Sequence, residues 1–455
     1  MKITIDKSWQ NIASFLLAMT PFFRNYRLPF FNINFATFWF LTITLIALFN
    51  RVQKKGLSLS WRSKSAALPV IICMTSYMLL EYYLIDIRKI GSCETAGNYF
   101  GLMLYVVEIW GLFFVFHDCR IREAFKIHTV RIAIVMSFVI YIQYILYYCF
   151  GMELSKRFLF PFSGLYESSV ADHIGQMRTV FDGLFRPSAF FLEPSHFAAY
   201  SVIALGIVLF EVKSKKICFF LTSAVVLSTS GLGIAATLLL WGIKAYLSMK
   251  SLNSRKMANV LGFSLLAMLV IIVLYYTVDI VRQAINRVLI SGEQNAFSGR
   301  LWTSSFIDRL SGANVYWGAG FRNRPISVYT GLAYYMTGIV ELTYCQGWFG
   351  TILFAIMMGI AIYKMWRYRN ILNFSVMVLF VVWVVFGNIV TPYYLVKYMA
   401  FTFYEEPSHF SKEWTKDRLG NIKRSKRRKK SVENRAAHFL GEKLWLRPTV
   451  LCIEG

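Results

Sequence analysis

The sequence is poor in charged residues for its length. Only 16% of its 455 residues are charged, whereas 56% are hydrophobic, and the mean hydropathy is +0.49. A soluble protein of this length needs a more strongly charged surface, so the composition excludes an ordinary soluble globular protein. The excess apolar surface is expected to face lipid. The sequence therefore predicts an all-α, polytopic integral membrane protein.

Several patterns that mark other classes of protein are also absent. The seven cysteines show no metal-ligand spacing, and the chain has no Walker A pattern for nucleotide hydrolysis. We therefore expect neither a metal nor a cofactor. Residues 1–7 lack a cleavable signal peptide pattern, so the first apolar stretch is expected to remain as a membrane anchor.

Apolar runs recur along the chain. A spanning helix needs about 20 predominantly apolar residues. Twelve candidate spans follow: 9–23, 31–49, 66–86, 98–117, 129–150, 190–210, 217–229, 231–247, 258–277, 344–365, 372–390 and 391–405. The serine-rich turn 228–231 indicates a tight helical hairpin, with one long bent helix as the alternative. The last span is the weakest because it is short and contains Lys397.

Basic residues cluster after every second span. Arg51 and Lys54 follow the second, Arg120 and Arg122 the fourth, Lys213 and Lys215 the sixth, Lys250 and Arg255 the eighth, and Lys364 and Arg367 the tenth. Cytoplasmic loops carry such an excess of basic residues. With twelve spans, both termini are expected in the cytoplasm. Two large loops, 151–189 and 278–343, then lie on the extracytoplasmic side, where long loops are usually functional.

The chain divides into a transmembrane domain, residues 1–405, and a basic tail, residues 406–455. Residues 411–436 of the tail contain eleven Lys or Arg residues, and the whole chain has a formal net charge of +25. We expect the tail to be disordered, to lie in the cytoplasm and to touch anionic head groups of membrane lipids. Nothing else in the chain resembles a nucleic-acid module, so nucleic-acid binding is not expected.

The second outer loop uses arginine without lysine. Residues 278–332 contain Arg282, Arg287, Arg300, Arg309, Arg322 and Arg324. The planar guanidinium group binds phosphate oxygens in a bidentate way and stays charged near the bilayer. This composition predicts a site for a lipid-linked phosphate or diphosphate. The alternative is a solvated amphipathic helix over residues 279–290 with ordinary surface charges.

The first outer loop ends in ionisable residues at the membrane boundary. Arg186, Glu193 and His196 lie within residues 185–198, which read FRPSAFFLEPSHFA. Pro194 prevents a helix from running through Glu193, so the next helix is expected to begin near it. Ionisable groups at such a boundary are candidates for a functional site. The alternative is a plain helix start, with Glu193 favourable at the positive end of the helix dipole.

Two carboxylates are predicted inside spans. Glu81 lies in the third span and Glu108 in the fourth. A carboxylate within the membrane needs a partner. Either an arginine partner or a proton path of the kind found in transporters is consistent with the sequence.

Residues 185–198 resemble the arginine-to-EPS signature of the bacterial O-antigen polymerase and ligase superfamily, with the Wzy-type repeat-unit polymerases as the nearest match. Further stretches are similar to segments of that family. They are SGR at 298–300 with Trp302, YWGAGF at 316–321, STSG at 228–231 and QGWFG at 346–350. Their order and the twelve-span topology agree with the family over residues 10–405.

The resemblance implies metal-independent glycosyl transfer at the outer face of the inner membrane. A chain on undecaprenyl diphosphate would pass to an incoming lipid-linked repeat unit, with the chain-length regulator and the flippase of the pathway as further partners. It assigns diphosphate binding and catalysis to Arg186 and Arg300, with Arg322 and Arg324 as further diphosphate-binding candidates. Glu193 and His196 are the nearest candidates for the base.

Other functions stay open at this stage. O-antigen ligases carry a histidine late in the large outer loop, whereas this chain has none between His196 and His409. That absence favours the polymerase over the ligase. A lipid-linked oligosaccharide flippase would be expected to show internal repeats and charges spread through its helices, which we do not find. A non-enzymatic assembly component would not need a loop that contains arginine but no lysine.

Overall fold

Apolar helices dominate the computed structural model of the chain. It describes residues 2–23, 26–28, 35–55, 67–88, 99–152, 154, 180–181, 184–191, 193–249, 275–277, 282, 303–320, 336–387 and 398–403. The first helices are α1 (Lys2–Phe23), α2 (Phe35–Lys55), α3 (Ala67–Tyr82), α4 (Tyr99–Phe116) and α5 (Cys119–Phe150). A π-helical turn, Tyr83–Ile87, extends α3.

The next elements belong to the first outer loop and the helices that follow it. A pair of two-residue antiparallel strands, β1 (Val180–Phe181) and β2 (Leu184–Phe185), precedes α6 (Pro194–Ile207). The remaining α-helices among the described residues are α7 (Lys215–Leu227), α8 (Gly231–Met249), α9 (Asn314–Trp317), α10 (Gly338–Arg367) and α11 (Ile371–Phe386). A 3-10 helix, Thr303–Arg309, precedes α9, and a π-helical turn, Val208–Val212, extends α6.

The described helices identify a multi-pass helical membrane protein. Five of them are long and apolar enough to cross a bilayer: Ala67–Ile85, Cys119–Phe150, Pro194–Val212, Gly231–Ser248 and Gly338–Arg367. Shorter apolar helices occur at Phe35–Phe49, Gly101–Phe116 and Ile371–Phe386. The count of twelve membrane spans stays a prediction, since the predicted span 258–277 lies almost wholly outside the described residues.

Helix α6 forms the centre of the bundle. Nearly all of its residues are buried, including Phe197, Tyr200 and Leu205, as expected for a helix that is apolar on every side. It packs against α5, α7, α8 and α11. The Tyr200 hydroxyl donates a hydrogen bond to the Ala18 carbonyl of α1, at 3.1 Å. The beginning of α6 is therefore held by the surrounding helices.

Contacts between helices distinguish the two ends of the bundle. The Ala189 amide, just before α6, donates to Gln143 Oε1 of α5 at 2.9 Å. Near the other end of α6, Lys126 Nζ lies 2.9 Å from Glu211 Oε1, so α5 and α6 are antiparallel. We use "motif end" for the end that contains Gln143, Ala189, Gly233, Gly338 and Gly387, and "far end" for the end that contains Lys126, Glu211 and Asn373.

The last described residues lie at the far end. Asn373 Nδ2 donates to the Phe403 carbonyl at 2.7 Å, and the Phe403 ring stacks on Phe113 with centroids 5.4 Å apart. The Arg122 guanidinium lies 5.0 Å from the same ring. Helix α11 has 16 residues and is about 24 Å long. Gly387 and Phe403 therefore lie at opposite ends of it.

Two boundaries differ from the sequence prediction. Helix α5 begins at Cys119 rather than at residue 129, so Arg120 and Arg122 are helical and not part of a loop. The reason is a cap, because the Asp118 side chain accepts a hydrogen bond from the Arg120 amide at 2.9 Å. Helix α10 begins at Gly338, so residues 338–343 of the predicted outer loop are helical.

The hairpin prediction is confirmed. Helices α7 and α8 are separate and joined by the short turn 228–230. Trp241 Nε1 of α8 donates to Thr222 Oγ1 of α7 at 3.1 Å. Thr229 has a φ of 54°, a left-handed conformation that ends α7 and reverses the chain. The alternative of one long bent helix is therefore excluded.

Candidate functional site

The stretch that carries the first motif is anchored to the last turns of α5. The Phe185 ring stacks on Tyr147 with centroids 4.3 Å apart and an interplanar angle of 10°. The Ala189 amide is bound by Gln143 Oε1, and both residues are buried. Arg186 lies between these anchors and is half-buried. Its position is thus set by contacts on both sides of it in the chain.

Ala189 adopts an unusual backbone conformation. Its φ is 50°, in the left-handed region that costs an ordinary residue about 1–2 kcal/mol. The bend directs the chain from the loop into α6, and the Phe191 amide then donates to the Ser188 carbonyl at 3.0 Å. Strain of this kind persists only where surrounding contacts enforce it, and it often occurs at functional sites.

Glu193 stands immediately before α6. Its backbone is extended, with a φ of −133°, and Pro194 is the first helical residue, which confirms the predicted helix start. The Glu193 carboxylate accepts a hydrogen bond from Ser195 Oγ at 2.9 Å. The His196 amide donates to the Glu193 carbonyl at 3.1 Å. Both ionisable side chains are half-buried at the motif end.

Part of the predicted site lies among the described residues. Arg186, Glu193 and His196 lie on one short stretch, at the entrance to the central helix. Arg300, Arg322 and Arg324 lie outside the described residues, so their geometry relative to this stretch is not described. The described part offers one guanidinium, one carboxylate and one imidazole, which suit an anionic leaving group and a proton acceptor.

The serine-rich turn packs beside this stretch. A Cβ atom on Gly233 of α8 would lie only 2.4 Å from Ala198 Cβ of α6. Ser230 Oγ accepts a hydrogen bond from the Gly233 amide at 3.3 Å. Glycine at position 233 thus allows α8 to approach α6 at Ala198, two residues after His196. The STSG segment supports the first motif by packing.

Helix α10 is interrupted at the motif end. Gly347 has a φ of 66° and a ψ of −177°, which divides α10 into residues 338–346 and 348–367. The chain just before the interruption is contacted by backbone amides of the loop 316–320. The Ala319 amide donates to the Tyr344 carbonyl at 2.8 Å, and the Gly320 amide donates to the Cys345 carbonyl at 3.0 Å. Ala319 and Gly320 of the predicted outer loop thus donate hydrogen bonds to backbone groups of a membrane helix.

Glycine is required on both sides of this contact. A Cβ atom on Gly318, whose φ is 85°, would lie 2.3 Å from the Cys345 carbonyl oxygen. A Cβ atom on Gly347 would lie 2.2 Å from the Tyr316 carbonyl oxygen. Distances below 3.0 Å to backbone atoms leave no room for any side chain. Residues 316–320 and 344–347 therefore form an interlocked contact, here named the glycine junction.

Tyr77 of α3 completes the glycine junction. Its hydroxyl donates to the Gln346 carbonyl at 2.5 Å. Its ring stacks on Trp317 with centroids 6.3 Å apart, and Trp317 makes an edge contact with Phe349 at 5.1 Å. The sequence prediction missed Tyr77, because a tyrosine in an apolar span carries no local signal. The two glycine motifs were visible in the sequence, but their contact was not.

The two predicted intramembrane carboxylates have different surroundings. Glu108 of α4 is buried and accepts a hydrogen bond from Thr37 Oγ1 at 2.6 Å. Glu81 is buried one turn after Tyr77 on α3. Ile85, one turn further, lies 3.8 Å from the Cβ position of Gly320. Glu81 therefore belongs to the face of α3 that meets the glycine junction.

A series of contacts joins the glycine junction to the first motif. The Gly338 amide at the start of α10 donates to the Gly387 carbonyl at 2.5 Å. Leu232 of α8 lies 3.2 Å from the Cβ position of Gly387. Gly233, the next residue, contacts Ala198 of α6. The first motif, the serine-rich turn and both glycine motifs thus share one end of the bundle.

Within the described part of the chain, no group of three or more His, Cys, Asp or Glu side chains is placed to hold a metal ion. The candidate site is therefore defined by an arginine, a carboxylate and a histidine together with backbone contacts. No protein-family model matches the chain, and neither does any curated protein or solved structure.

Proposed function

We propose that the protein polymerises lipid-linked oligosaccharide repeat units at the outer face of a bacterial inner membrane. The observation that carries the proposal is the convergence at the motif end. Segments far apart in the sequence, which individually resemble parts of repeat-unit polymerases, are linked there through contacts of Ala198 with Gly233, of Leu232 with Gly387 and of Gly387 with Gly338, the first residue of α10. A site for one substrate requires such convergence, whereas unrelated chance matches would be scattered over the bundle.

The proposed reaction is a glycosyl transfer from a lipid diphosphate. The bond between the sugar and the diphosphate oxygen breaks, and a bond to a hydroxyl oxygen of the incoming unit forms. Arg186, with Arg300, Arg322 and Arg324, stabilises the charge that develops on the leaving diphosphate. The proton of the acceptor hydroxyl passes to Glu193 or His196, the ionisable groups nearest to Arg186 in the chain.

The topology in this proposal has twelve spans with both termini in the cytoplasm. Support for the last span comes from Gly387 and Phe403, which lie at opposite ends of α11. The chain thus returns to the end from which α11 started before the basic tail begins. The motif end is then extracytoplasmic, where a polymerase meets repeat units that have already crossed the membrane.

Loss of function distinguishes this proposal from a flippase. Cells that lack a polymerase are expected to accumulate single repeat units on the carrier lipid at the outer face. Cells that lack a flippase accumulate them at the cytoplasmic face. Cells that lack an O-antigen ligase would instead keep finished polymer on the carrier lipid, without transfer to lipid A core.

A purified system tests the chemistry directly. We expect the protein, given synthetic undecaprenyl-diphosphate repeat units without nucleotide or divalent metal, to produce a ladder of longer chains. Mass spectrometry of the lipid-linked products measures the ladder. Products that stay at one unit, while reconstituted vesicles move the lipid across the bilayer, would contradict the polymerase proposal and favour a transporter.

A further inference from the structure

The last turns of α5 carry three tyrosines at the motif end. Tyr144, Tyr147 and Tyr148, here named the tyrosine cluster, are all half-buried. The ring centroids of Tyr144 and Tyr148 are 4.5 Å apart, and those of Tyr147 and Tyr148 are 5.0 Å apart. Tyrosines near the end of a membrane helix commonly anchor it in the interface between lipid and water. The side of α5 on which they lie therefore decides what they do.

The lipid-facing side of α5 contains other residues. Exposed apolar side chains follow each other there at helical spacing, namely Val135, Phe138, Ile142 and Ile145. Tyr144 instead follows Ile140 by one turn, and Ile140 is fully buried. Tyr147 follows the buried Gln143 in the same way. The tyrosine cluster thus continues the buried face of α5 and does not belong to its lipid-facing side.

The buried face of α5 becomes more open at these tyrosines. Ile140 is fully buried, whereas Tyr144, one turn later, is half-buried. Within the described part of the chain, no hydrogen bond uses the hydroxyl of Tyr144 or of Tyr147. A tyrosine that is turned toward a protein interior usually finds a partner for this hydroxyl. Two hydroxyls beside aromatic rings therefore form an amphipathic surface that is available to a ligand.

Arg186, the described candidate for diphosphate binding, lies beside the tyrosine cluster. The Phe185 amide donates to the Tyr148 hydroxyl at 3.4 Å, and the Phe185 ring stacks on Tyr147. The Ala189 amide is bound at 2.9 Å by the α5 side chain one turn before Tyr147. The stretch that contains Arg186 thus runs along the same part of α5 as the cluster, about 8 Å of helix.

A sugar ring is the ligand whose chemistry fits this arrangement. A pyranose combines C–H groups, which pack on aromatic rings, with hydroxyl groups, which form hydrogen bonds. The face of a tyrosine ring is negative and attracts weakly positive C–H hydrogens, and the tyrosine hydroxyl both donates and accepts hydrogen bonds. In a lipid-linked oligosaccharide, the first sugar is bonded directly to the diphosphate. A sugar beside Arg186 is therefore the neighbour of the group that this arginine is proposed to bind.

We propose that the tyrosine cluster binds the first sugar of the lipid-linked donor, with Tyr144 and Tyr147 as the contacting residues. Tyr148 is a positioning residue, since its hydroxyl holds the Phe185 backbone next to Arg186. This inference rests on the proposed polymerase function. It assigns the saccharide part of the substrate to α5, beside the arginine proposed for the diphosphate part.

Two probe lipids separate sugar binding from diphosphate binding. One is undecaprenyl diphosphate with a synthetic repeat unit, and the other is bare undecaprenyl diphosphate, each presented with the purified protein in nanodiscs. We expect the unaltered protein to bind the lipid with the repeat unit on the order of tenfold more tightly, because the aromatic contacts and hydroxyls act only on the sugar. Equal affinities for the two lipids would overturn the proposal.

The main variant is Tyr144→Leu, with Tyr246→Leu as the matched control. Leucine keeps an apolar side chain and removes the aromatic face and the hydroxyl. Tyr246 is exposed in the last turn of α8, away from the motif end. We expect Tyr144→Leu to reduce the preference for the sugar-bearing lipid to about twofold and to keep the affinity for the bare lipid. Tyr246→Leu should keep both affinities.

The same measurement distinguishes a sugar contact from a structural role. If Tyr144 only supports the fold, Tyr144→Leu would lower the Tm and weaken the binding of both lipids to the same extent. That result would overturn the proposal. Arg186→Ala provides the opposite pattern, since it should weaken the binding of both lipids through the diphosphate that they share.

Removal of single hydroxyls covers the case in which Tyr144→Leu does not fold. Tyr144→Phe keeps the ring contact with Tyr148, and Tyr147→Phe keeps the stack on Phe185. Each is expected to lower the preference about two- to threefold with an unchanged Tm, because one hydrogen bond to the sugar is lost. An unchanged preference in both variants would overturn the proposal.

Tyr148→Phe tests the positioning role. It removes the hydrogen bond to the Phe185 amide and keeps the ring. We expect weaker binding of both lipids with the preference retained, because the change acts through the backbone that carries Arg186. A selective loss of the preference would contradict the positioning role of Tyr148.

The polymerisation assay separates this inference from the proposed function. Tyr144→Leu should raise the KM for the donor on the order of tenfold, with a smaller change in kcat. If the unaltered protein makes no polymer, but prefers the sugar-bearing lipid and loses this preference in Tyr144→Leu, the proposed function fails and the saccharide site stands. If it makes polymer and Tyr144→Leu keeps the preference, the inference fails alone.

Discussion

At the residue scale, the main chemical feature of this protein is that its predicted phosphate-binding residues are arginines and not lysines. A lysine ammonium is a point charge, whereas a guanidinium group binds two phosphate oxygens with fixed geometry. Arg186 is held between the Phe185–Tyr147 stack and the Gln143–Ala189 hydrogen bond. The Arg186 guanidinium group is therefore carried by a backbone segment that is held by contacts on both sides. The same side chain on an unanchored loop would lose more entropy when it binds a diphosphate.

Substitution of the two motif arginines should separate geometry from charge. We expect Arg186→Ala and Arg300→Ala to abolish polymer while the protein stays in the membrane at its normal level. Lysine at either position should restore activity only in part. Arg309→Ala is the control, since Arg309 is exposed and its guanidinium lies 4.5 Å from the Phe306 ring. Full activity of both lysine variants would show that charge alone is sufficient.

The proton acceptor can be identified by neutral substitutions. We expect Glu193→Gln or His196→Asn to reduce kcat about 100-fold or more, because the proposed mechanism assigns the proton of the acceptor hydroxyl to one of these groups. Ser195→Ala is the matched control, since it removes the hydrogen bond from Ser195 Oγ to the Glu193 carboxylate and leaves both candidates intact. Polymerisation rates in the purified system measure the effect. Losses below tenfold in both variants would place the base elsewhere.

At the scale of secondary-structure elements, α6 and α8 approach each other closely at Gly233. A methyl group on Gly233 would collide with Ala198, which lies one turn after the Glu193-Pro194 helix start. Small residues at such crossings are common in membrane helices because they allow the backbones to approach. The α7–α8 hairpin thus supports the stretch that carries the first motif. Its contribution is structural, since it packs against the central helix.

A pair of substitutions within α8 tests this packing. Gly233→Ala should lower the Tm of the purified protein in detergent, because the new methyl group meets Ala198 Cβ at 2.4 Å. Gly242→Ala should leave the Tm unchanged or raise it, because a Cβ atom there meets nothing within 4 Å and alanine favours helix by about 1 kcal/mol over glycine. A lower Tm in Gly242→Ala alone would contradict the packing that we describe.

Local signals predicted several of these elements. Pro194 correctly marked the start of α6, and the serine-rich turn correctly predicted the α7–α8 hairpin. The sequence predicts a start of α5 at residue 129, which is too late, because Arg120 and Arg122 resemble loop residues although Asp118 caps the helix before them. The glycine junction was not predicted, since no local pattern shows that Gly318 meets Gly347. Tertiary contacts of this kind leave no periodic signal in a single sequence.

At the scale of the whole molecule, the described residues form different polar contacts at the two ends of the bundle. The motif end carries the candidate site. The far end carries the Lys126 interactions with Glu123 and Glu211 and the contacts of Phe403 with Asn373 and Arg122. The central helix α6 connects the two ends through an apolar interior. This division agrees with a protein whose two faces meet different compartments.

Reporter fusions test the orientation of the two faces. A fusion at Glu293, in the second outer loop, should be extracytoplasmic, and one at Gly420, in the basic tail, should be cytoplasmic. The physical reason is the basic residues that follow alternate spans and bias their loops toward the cytoplasm. Paired alkaline phosphatase and green fluorescent protein fusions report the side. Both positions on one side would mean an odd number of membrane crossings is missing from the proposed topology.

The glycine junction also has a consequence for biosynthesis. Residues 316–320 leave the ribosome before residues 338–347, so in the proposed topology the loop begins to cross the membrane before the helix that it binds can enter the bilayer. In the proposed topology, α10 enters the bilayer after residues 316–320 have reached the extracytoplasmic side, where the Ala319 and Gly320 amides can donate to the carbonyls of Tyr344 and Cys345. The order of synthesis therefore favours correct assembly. A circular permutation that made α10 before residues 316–320 would expose an interrupted helix to lipid, and we expect such a chain to be degraded by membrane quality control.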